Sequence, residues 1–439
     1  MSQSPIAIVL AGGANSRFWP LREKSLYTFM NEPLLTRQLK VYAEAGFQNA
    51  IIIANPANYS LIVNAMAALE STISYNVVVQ QEPLGMGHAI LQAEDLLREA
   101  GYPPIYICQV NDVVEAQLHH RLYEAAQSGR AHAYLTGFEV STYFPGGYLV
   151  LGDDGQRIVG IQEKPSIGHE PSNVVNIVAH VHTETAILFE HIHRLYASNH
   201  PHDDHYEVAM AAMMNDYRFE CVRYDGKWHP IKYPWHVLDV MKFYLDHIDG
   251  QHIHPEAKIL GEVSISGNVI IEAGARLFHG ASVVGPAYIG PDAIVGNGAL
   301  VRESMIGAKS VVGHVSEVAR SWLGQGVNLH RAVVLDSVFE DRVNFSAGCI
   351  TANLRIDGGF VKSSVKGERL VTGRNKLGAM IGEGAFIGIQ SGTMPGVKIG
   401  AGAEVGAFTN VTQDILEGQR LYSLQETRLV DATGKVSEE

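Results

Sequence analysis

The sequence predicts two domains of different class. A doubly wound α/β domain with a mostly parallel sheet is expected over residues 1–247. A parallel β-solenoid of six-residue repeats follows over 248–415, with a polar tail at 416–439. Three observations carry that reading. Strand-like apolar runs alternate with amphipathic helical runs through about residue 245. Nine aliphatics then recur at an unbroken six-residue spacing. Glycines fall near the corners of that repeat, at Gly261, Gly267, Gly285 and Gly290.

The first domain is read in order. IAIVLA (6–11) is a strand, and LLTRQLKVYAEAG (34–46) is a helix closed by Gly46. AIIIAN (50–55) is a buried strand. A helix near 58–70, the strand NVVVQQ (76–81), the helix 87–101 and the strand IYICQVND (105–112) follow. This β-α-β-α order implies a parallel sheet, which binds ligands at the carboxyl ends of its strands.

In the second domain Ile253, Ile259, Ile265, Ile271, Leu277, Val283, Ile289, Val295 and Val301 mark the repeat. It returns at Ile381, Ile387, Ile399, Val405 and Val411, with Thr393 in the gap. Period six fits neither an amphipathic helix nor a hairpin. It fits three short strands per coil, each pointing one aliphatic inward. Residues 302–380 keep the rhythm loosely, through Ile306, Val312, Val318, Leu323, Leu329 and Leu335.

Composition excludes several classes. The net charge of −13 argues against a nucleic-acid partner, which needs a basic footprint. Cys108, Cys221 and Cys349 form no CxxC, so no disulfide framework or zinc site is expected. No apolar stretch reaches 18 residues, so no membrane span is expected and a cytoplasmic location follows.

The chemistry-bearing motifs sit at predicted strand ends. LAGGANSRFWPLREK (10–24) is a glycine turn bearing Arg17 and Lys24. Backbone N–H groups of such a turn cradle phosphates, and the two cations neutralise them. It resembles the motif LAxGxGTRxxxxxxPK of the sugar-1-phosphate nucleotidylyltransferases, in particular the bifunctional hexosamine-1-phosphate uridylyltransferases. Asn15 stands where that motif has glycine and is expected to accept its positive φ.

Further segments match the same family in order. VQQEPLGMGHA (79–89) is similar to the base-recognition stretch QxExLGTGHA. The resemblance places Leu10, Ala11, Gly12, Gly13, Gln80, Gly85 and Met86 at the nucleotide. The Gln80 amide complements the imide edge of uracil or thymine, so UTP or dTTP is favoured. Asp112 in CQVNDVV matches the ligand for Mg2+. Gly147, Glu163, Lys164 and Asn176 match the sugar-phosphate site, although the glycine and tyrosine of the family's NxGxY strand are missing after Asn176. WHPIKYPWHVLD (228–239) resembles the "W…PWDLL" segment of archaeal-type members. His236 stands at its Asp and Pro230 replaces another common Asp, so the second metal ligand is missing from the pattern.

The solenoid resembles the left-handed β-helix of hexapeptide-repeat acyltransferases, here the acetyltransferase half of the same family. SAGCITANLR (346–355), GRNKLGAMIGEGAFIG (373–388) and MPGVKIG (394–400) carry the likeness. It implies acetyl-CoA as co-substrate, with Asn344 and Asn353 contacting sugar and cofactor. Two histidines compete for the role of base. His314 has the upstream context of the family motif, whereas His330 lies the family's fourteen residues before Asn344. An inserted coil of about sixteen residues explains both. The family tyrosine is replaced by Glu317 or Val333 in the two registers.

The implied activity is transfer of a nucleotidyl group to a sugar 1-phosphate with release of pyrophosphate, with possible acetyl transfer in the solenoid and a homotrimer as the assembly. Two alternatives stand beside it: a nucleotidylyltransferase with a purely structural β-helix, and a regulatory or scaffolding subunit of the same architecture. The His-dense stretch 180–207 is read as a helix and solvated loop rather than a metal site.

Overall fold

The structure, a computed structural model, describes residues 4–69, 71–198 and 204–424. It comprises two compact units. One is Met1–Ser16 with Glu23–Lys232, and the other is Arg17–Arg22 with Tyr233–Glu439. The helix Val237–Asp246 therefore groups with the second unit, whereas the sequence reading put the boundary at 247. One reason is local: its Asp239 carboxylate pairs with Arg374 of the same unit.

The first unit is built on a nine-stranded sheet. The order runs Ser74–Val79, Asn49–Ala54, Ile6–Leu10, Ile105–Gln109, Val174–His182, Ala133–Glu139, Phe219–Tyr224, Arg157–Glu163 and Gly147–Leu151. The first four strands are parallel. Val174–His182 then runs antiparallel to both neighbours, so the second half of the sheet is mixed. It is reached from the hairpin 147–163 rather than through a crossover helix, and a hairpin reverses direction. From Ile6–Leu10 the chain moves outward to 49–54 and 74–79. It then returns to the other flank at 105–109. That reversal opens a crevice at the carboxyl ends of Ile6–Leu10 and Ile105–Gln109.

One face of this sheet buries Ile8, Ile51, Ile53, Ile107 and Leu135 under Leu97, Leu188, Phe189 and Met210. The other carries an aromatic cluster of Tyr42, Phe47, Tyr106 and His119, with ring centroids 4.8–6.4 Å apart. At about 25 cal/mol per Å2 of apolar area removed from water, such burial is the main force holding the unit together.

The second unit is a parallel β-helix. Three sheets of eight, nine and eight short strands run the length of the solenoid, every neighbour parallel and in register. The periodic aliphatics point inward: Ile271, Leu277, Val283, Ile289, Val295 and Val301 are all buried. In the loose region the coil shortens. Val295 pairs with Val312, seventeen residues on, and Val318 pairs with Val334, sixteen on. Val334, not Leu335, therefore fills the interior there, because each residue lost from a corner moves the inward position back by one. The sixteen-residue coil matches the interval between His314 and His330 in the sequence. After Thr351 the chain leaves the solenoid for the hairpin Lys362–Val365/Glu368–Val371 and returns at Met380. In the expected tail, Arg420–Leu421 adds a last strand beside Glu404–Val405; 425–439 lie outside the described residues.

Candidate active site

The switch-point crevice of the first unit holds a cavity of about 280 Å3. It is lined by Leu10, Gly12, Gly13, Ala14, Lys24, Ile53, Gln80, Pro83, Gly85, Met86, Ala89, Gln109 and Asn111. Six of the seven residues expected at the nucleotide thus meet in one pocket. Ala11, the seventh, lies just beneath: its carbonyl accepts hydrogen bonds from Ser25 Oγ (3.3 Å) and Asn58 Nδ2 (2.9 Å).

The pocket's shape follows from local constraints. A Cβ at Gly12 would lie 3.0 Å from the carbonyl carbon and oxygen of Ala54, so any larger residue would have to push the turn a few tenths of an ångström off the end of strand 49–54. A Cβ at Gly13 would stand 3.9 Å from Lys24 Nζ, which places the ammonium against the turn. Gly85 opens the helix Gly85–Leu91 with φ +92 and is therefore required too. Gln80, 7% exposed, donates from Nε2 to the Gly85 carbonyl (3.0 Å), which leaves Oε1 for a ligand. A uracil or thymine ring offers its N3–H to such an acceptor.

Asn15 keeps a negative φ, contrary to expectation, and works through its side chain instead. Its Nδ2 donates to Glu23 Oε2 (2.9 Å), which also accepts from Asn58 Nδ2 (3.0 Å). Glu23 Oε1 takes the Ser25 amide (3.2 Å). Glu23 directly precedes Lys24, as proline directly precedes the lysine of the family motif. The pair Asn15–Glu23 thus closes the turn with hydrogen bonds where the motif uses glycine and proline.

Arg17 is exposed and opens the segment Arg17–Arg22, which groups with the second unit. Arg22 in that segment is anchored there. Its backbone N–H donates to Glu340 Oε1 (2.7 Å), and its guanidinium pairs with Glu383.

Asp112 begins the strand Asp112–Val114, opposite Pro230 in the pairing with Trp228–Pro230. The indole Nε1 of Trp228 donates to its Oδ1 at 3.0 Å. Burial pushes the carboxyl up from its ordinary value, while the Trp228 hydrogen bond and the charges of Lys232 and Lys24 pull it back. Pro230, replacing a family carboxylate, faces Asp112 directly. Among the described residues no three His, Cys, Asp or Glu side chains cluster as a metal site. Trp228, Gln109 and Asn111 were missed as site residues. Trp228 was signalled by the tryptophan of its motif, and the other two only by adjacency to Asp112.

The sugar-site candidates converge at the far strands. Gly147 pairs with Glu163, and a Cβ at Gly147 would meet Glu163 Oε2 at 2.8 Å and Asn176 Cβ at 3.8 Å. Lys164 Nζ lies 3.1 Å from Glu163 Oε1.

In the second unit the expected acetyltransferase residues are spread over three coils. His314 is exposed, and its Nδ1 lies 2.9 Å from the Asn297 carbonyl, an orienting contact that leaves Nε2 unused by it. His330 is exposed and one coil from Asn344, since Leu329 pairs with Phe345; His314 is a coil further away. Asn353 spends its amide on Asp336 Oδ2 (2.5 Å), which Arg320 grips bidentately at 2.7 and 2.8 Å.

A profile of the nucleotidyl transferase family matches residues 6–246, and one of the bacterial transferase hexapeptide, six repeats, matches 378–413. The chain belongs to the nucleotidyl transferase family. It is 30% identical over 426 residues to a bifunctional sugar-1-phosphate nucleotidylyltransferase/acetyltransferase of Sulfurisphaera tokodaii, covering 94% of this chain and 98% of the relative. It is 32% identical to a bifunctional protein GlmU of Methanococcus maripaludis, covering 96% and 98%, and 29% identical to that of Methanocaldococcus jannaschii, covering 96% and 98%. Both halves of this family member are therefore present in one chain, an α/β transferase domain and a hexapeptide β-helix. Among the described residues no helix is long and apolar enough to cross a membrane.

Proposed function

We propose that the chain forms a nucleoside diphosphate sugar and pyrophosphate from UTP or dTTP and a sugar 1-phosphate. The observation that carries this is the single cavity at the sheet's switch point. It gathers the glycine turn, Lys24 and the Gln80–Gly85–Met86 base-reading edge. The sugar phosphate oxygen attacks the α-phosphorus and pyrophosphate leaves in line. No protein nucleophile is needed, only positioning and charge neutralisation. Lys24 neutralises the α-phosphate and Arg17 the β,γ-phosphates. Glu163 accepts, and Asn176 donates, hydrogen bonds to the sugar, with Gly147 leaving room for the ring and Lys164 beside its phosphate.

Asp112 is the residue that would hold Mg2+. One carboxylate oxygen remains beyond the Trp228 bond, and magnesium is commonly held by one carboxylate with substrate phosphates completing its shell. When bound, the ion would supply charge neutralisation of the leaving pyrophosphate.

In the β-helix, acetyl transfer from acetyl-CoA to an amino sugar phosphate uses His314 or His330 as base, with Asn344 and Asn353 as contacts. A homotrimer through the solenoid and a cytoplasmic location belong to the same proposal. Pyrophosphate release across UTP, dTTP, ATP and GTP with several sugar 1-phosphates tests the first activity. Release with pyrimidine nucleotides, lost in Lys24→Ala, is expected; none with any pairing refutes it. Thiol release from acetyl-CoA with glucosamine 1-phosphate, compared in His314→Ala and His330→Ala, tests the second and identifies the base.

A further inference from the structure

The strand Val174–His182 carries a buried polar chain that neither the fold nor the reaction scheme accounts for. Asn176 Oδ1 lies 2.8 Å from His180 Nε2. His180 Nδ1 lies 2.8 Å from Tyr206 Oη, and Tyr206 Oη lies 2.8 Å from His182 Nε2. His180, His182 and Tyr206 are all 0% exposed. Residues four apart on a regular strand stand about 13 Å apart, so Asn176 and His180 would not ordinarily touch. A bulge between Ile177 and His180 shortens that span and lets the imidazole reach back.

The protons of this chain can be assigned. Burial pushes both imidazoles down to about 3, so each is neutral and carries one N–H. His182 Nδ1 is buried without a partner among the described residues. An orphaned acceptor nitrogen is tolerated better than an orphaned buried N–H. His182 Nδ1 is therefore bare, and its proton sits on Nε2 and is donated to the Tyr206 oxygen. The Tyr206 hydroxyl donates to His180 Nδ1, and His180 Nε2–H donates to Asn176 Oδ1, while the Ile177 backbone is also hydrogen-bonded to this imidazole. Only the amide oxygen can accept there, so the Asn176 carbonyl is committed to His180 and its NH2 is left to donate elsewhere; the nearest candidate-site neighbours are Gly147, whose Cβ would lie 3.8 Å from Asn176 Cβ, and Glu163 beside it.

We propose that His180 is a positioning residue for the sugar subsite: through its Nε2–H it fixes Asn176 as a hydrogen-bond donor, with Tyr206 and His182 holding the imidazole in the required tautomer. This rests on the reading of Gly147, Glu163 and Asn176 as the sugar pocket. The subsite then presents one fixed donor beside one carboxylate acceptor, Glu163. That pairing suits a sugar bearing an acceptor group, a hydroxyl or an acyl carbonyl, next to a hydroxyl that donates. His180 stands at the tyrosine position of the family's NxGxY strand, and either side chain can offer a donor there.

The first test is 15N NMR of the histidine-labelled full chain. His180 is expected to show a protonated Nε2 and a bare Nδ1, unchanged from pH 5 to 8. A protonated Nδ1, or titration inside that range, overturns the proposal without any variant being made. The second is steady-state kinetics. His180→Phe is expected to raise KM for the sugar 1-phosphate at least tenfold while KM for the nucleotide stays within twofold. His180→Tyr is expected to recover most of that loss. If Asn176→Ala raises the sugar KM but His180→Phe does not, the positioning role is wrong and the subsite stands. If Asn176→Ala leaves the sugar KM unchanged, the subsite reading and the proposal built on it both fall.

Discussion

The turn that begins at Leu10 is held by residue choices that only make sense together. Gly12 is fixed by the backbone of Ala54 at 3.0 Å, which is not a flexible side-chain tip and cannot yield. Gly12→Ala is therefore expected to displace the turn and lower kcat/KM for the nucleotide at least tenfold, read by pyrophosphate release. A variant with wild-type affinity would show that the turn does not hold phosphate. Asn15 and Glu23 act as one unit, because the Glu23 carboxylate is the shared acceptor for Asn15, Asn58 and the Ser25 amide. Asn15→Gly and Glu23→Gln are each expected to lower kcat/KM for the nucleotide about five- to tenfold. Contacting partners are non-additive, so the double variant should be no worse than the poorer single. Multiplicative losses would show that the two residues act separately. The amide and carboxylate were visible in the sequence, but their meeting was not. Asn15 was expected to matter through its backbone because glycine was the residue it replaced, and the side-chain bridge depends on seven residues of intervening turn that no periodicity describes.

At the scale of single elements, what was legible tracks what is repetitive. From Ile271 onward the inward aliphatics of the solenoid were read correctly where the coil has eighteen residues, since the period fixes which side chain faces in, whereas Ile253 and Ile259 on the first coil are exposed. Leu335 was misplaced because its coil has sixteen, and corner length is not written in the apolar pattern. The strands that lead into Gly12, Gln80 and Asp112 were legible because each is an apolar run followed by a motif. The His180–Tyr206–His182 chain was not, as it joins a strand to a helix and depends on a bulge. Thr393 offers a clean test of the solenoid interior. It occupies an aliphatic position, is 1% exposed, and its hydroxyl is buried with no hydrogen-bond partner among the described residues. Replacing an unpaired buried hydroxyl by a methyl removes a desolvation penalty. Thr393→Val is expected to raise the stability of the second unit by roughly 1 kcal/mol in urea denaturation. A loss of stability would mean that the hydroxyl has a partner.

Across the whole molecule the two units are set to respond to pH with opposite sign. The first buries three neutral histidines, His119, His180 and His182, each pushed by burial to about 3. Unfolding frees them to take up protons below about 6.5, so the unfolded chain is favoured as pH falls from there toward 3. At pH 5 each costs roughly 2 kcal/mol relative to pH 8, at 1.36 kcal/mol per pH unit. The Asp112 carboxyl, pushed up by burial, offsets part of that. The second unit buries Glu340, whose carboxyl is raised to about 7, chiefly by desolvation and despite the Arg22 amide and guanidinium beside it. Its neutral form is the one the fold prefers. That stability is fully present below about 4.5 and is lost as pH rises through 7. Asp414, raised by burial against Lys398, adds in the same direction. Calorimetry at pH 5 and pH 8 is therefore expected to show the transition of the first unit moving up by several degrees and that of the second moving down. Glu340→Gln keeps the hydrogen-bonding shape without the titrating charge, so it should flatten the second shift and leave the first intact. Two transitions that move together, or a second shift that survives Glu340→Gln, would mean that the charge of Glu340 is satisfied in the folded solenoid and that its burial carries no pH-dependent cost.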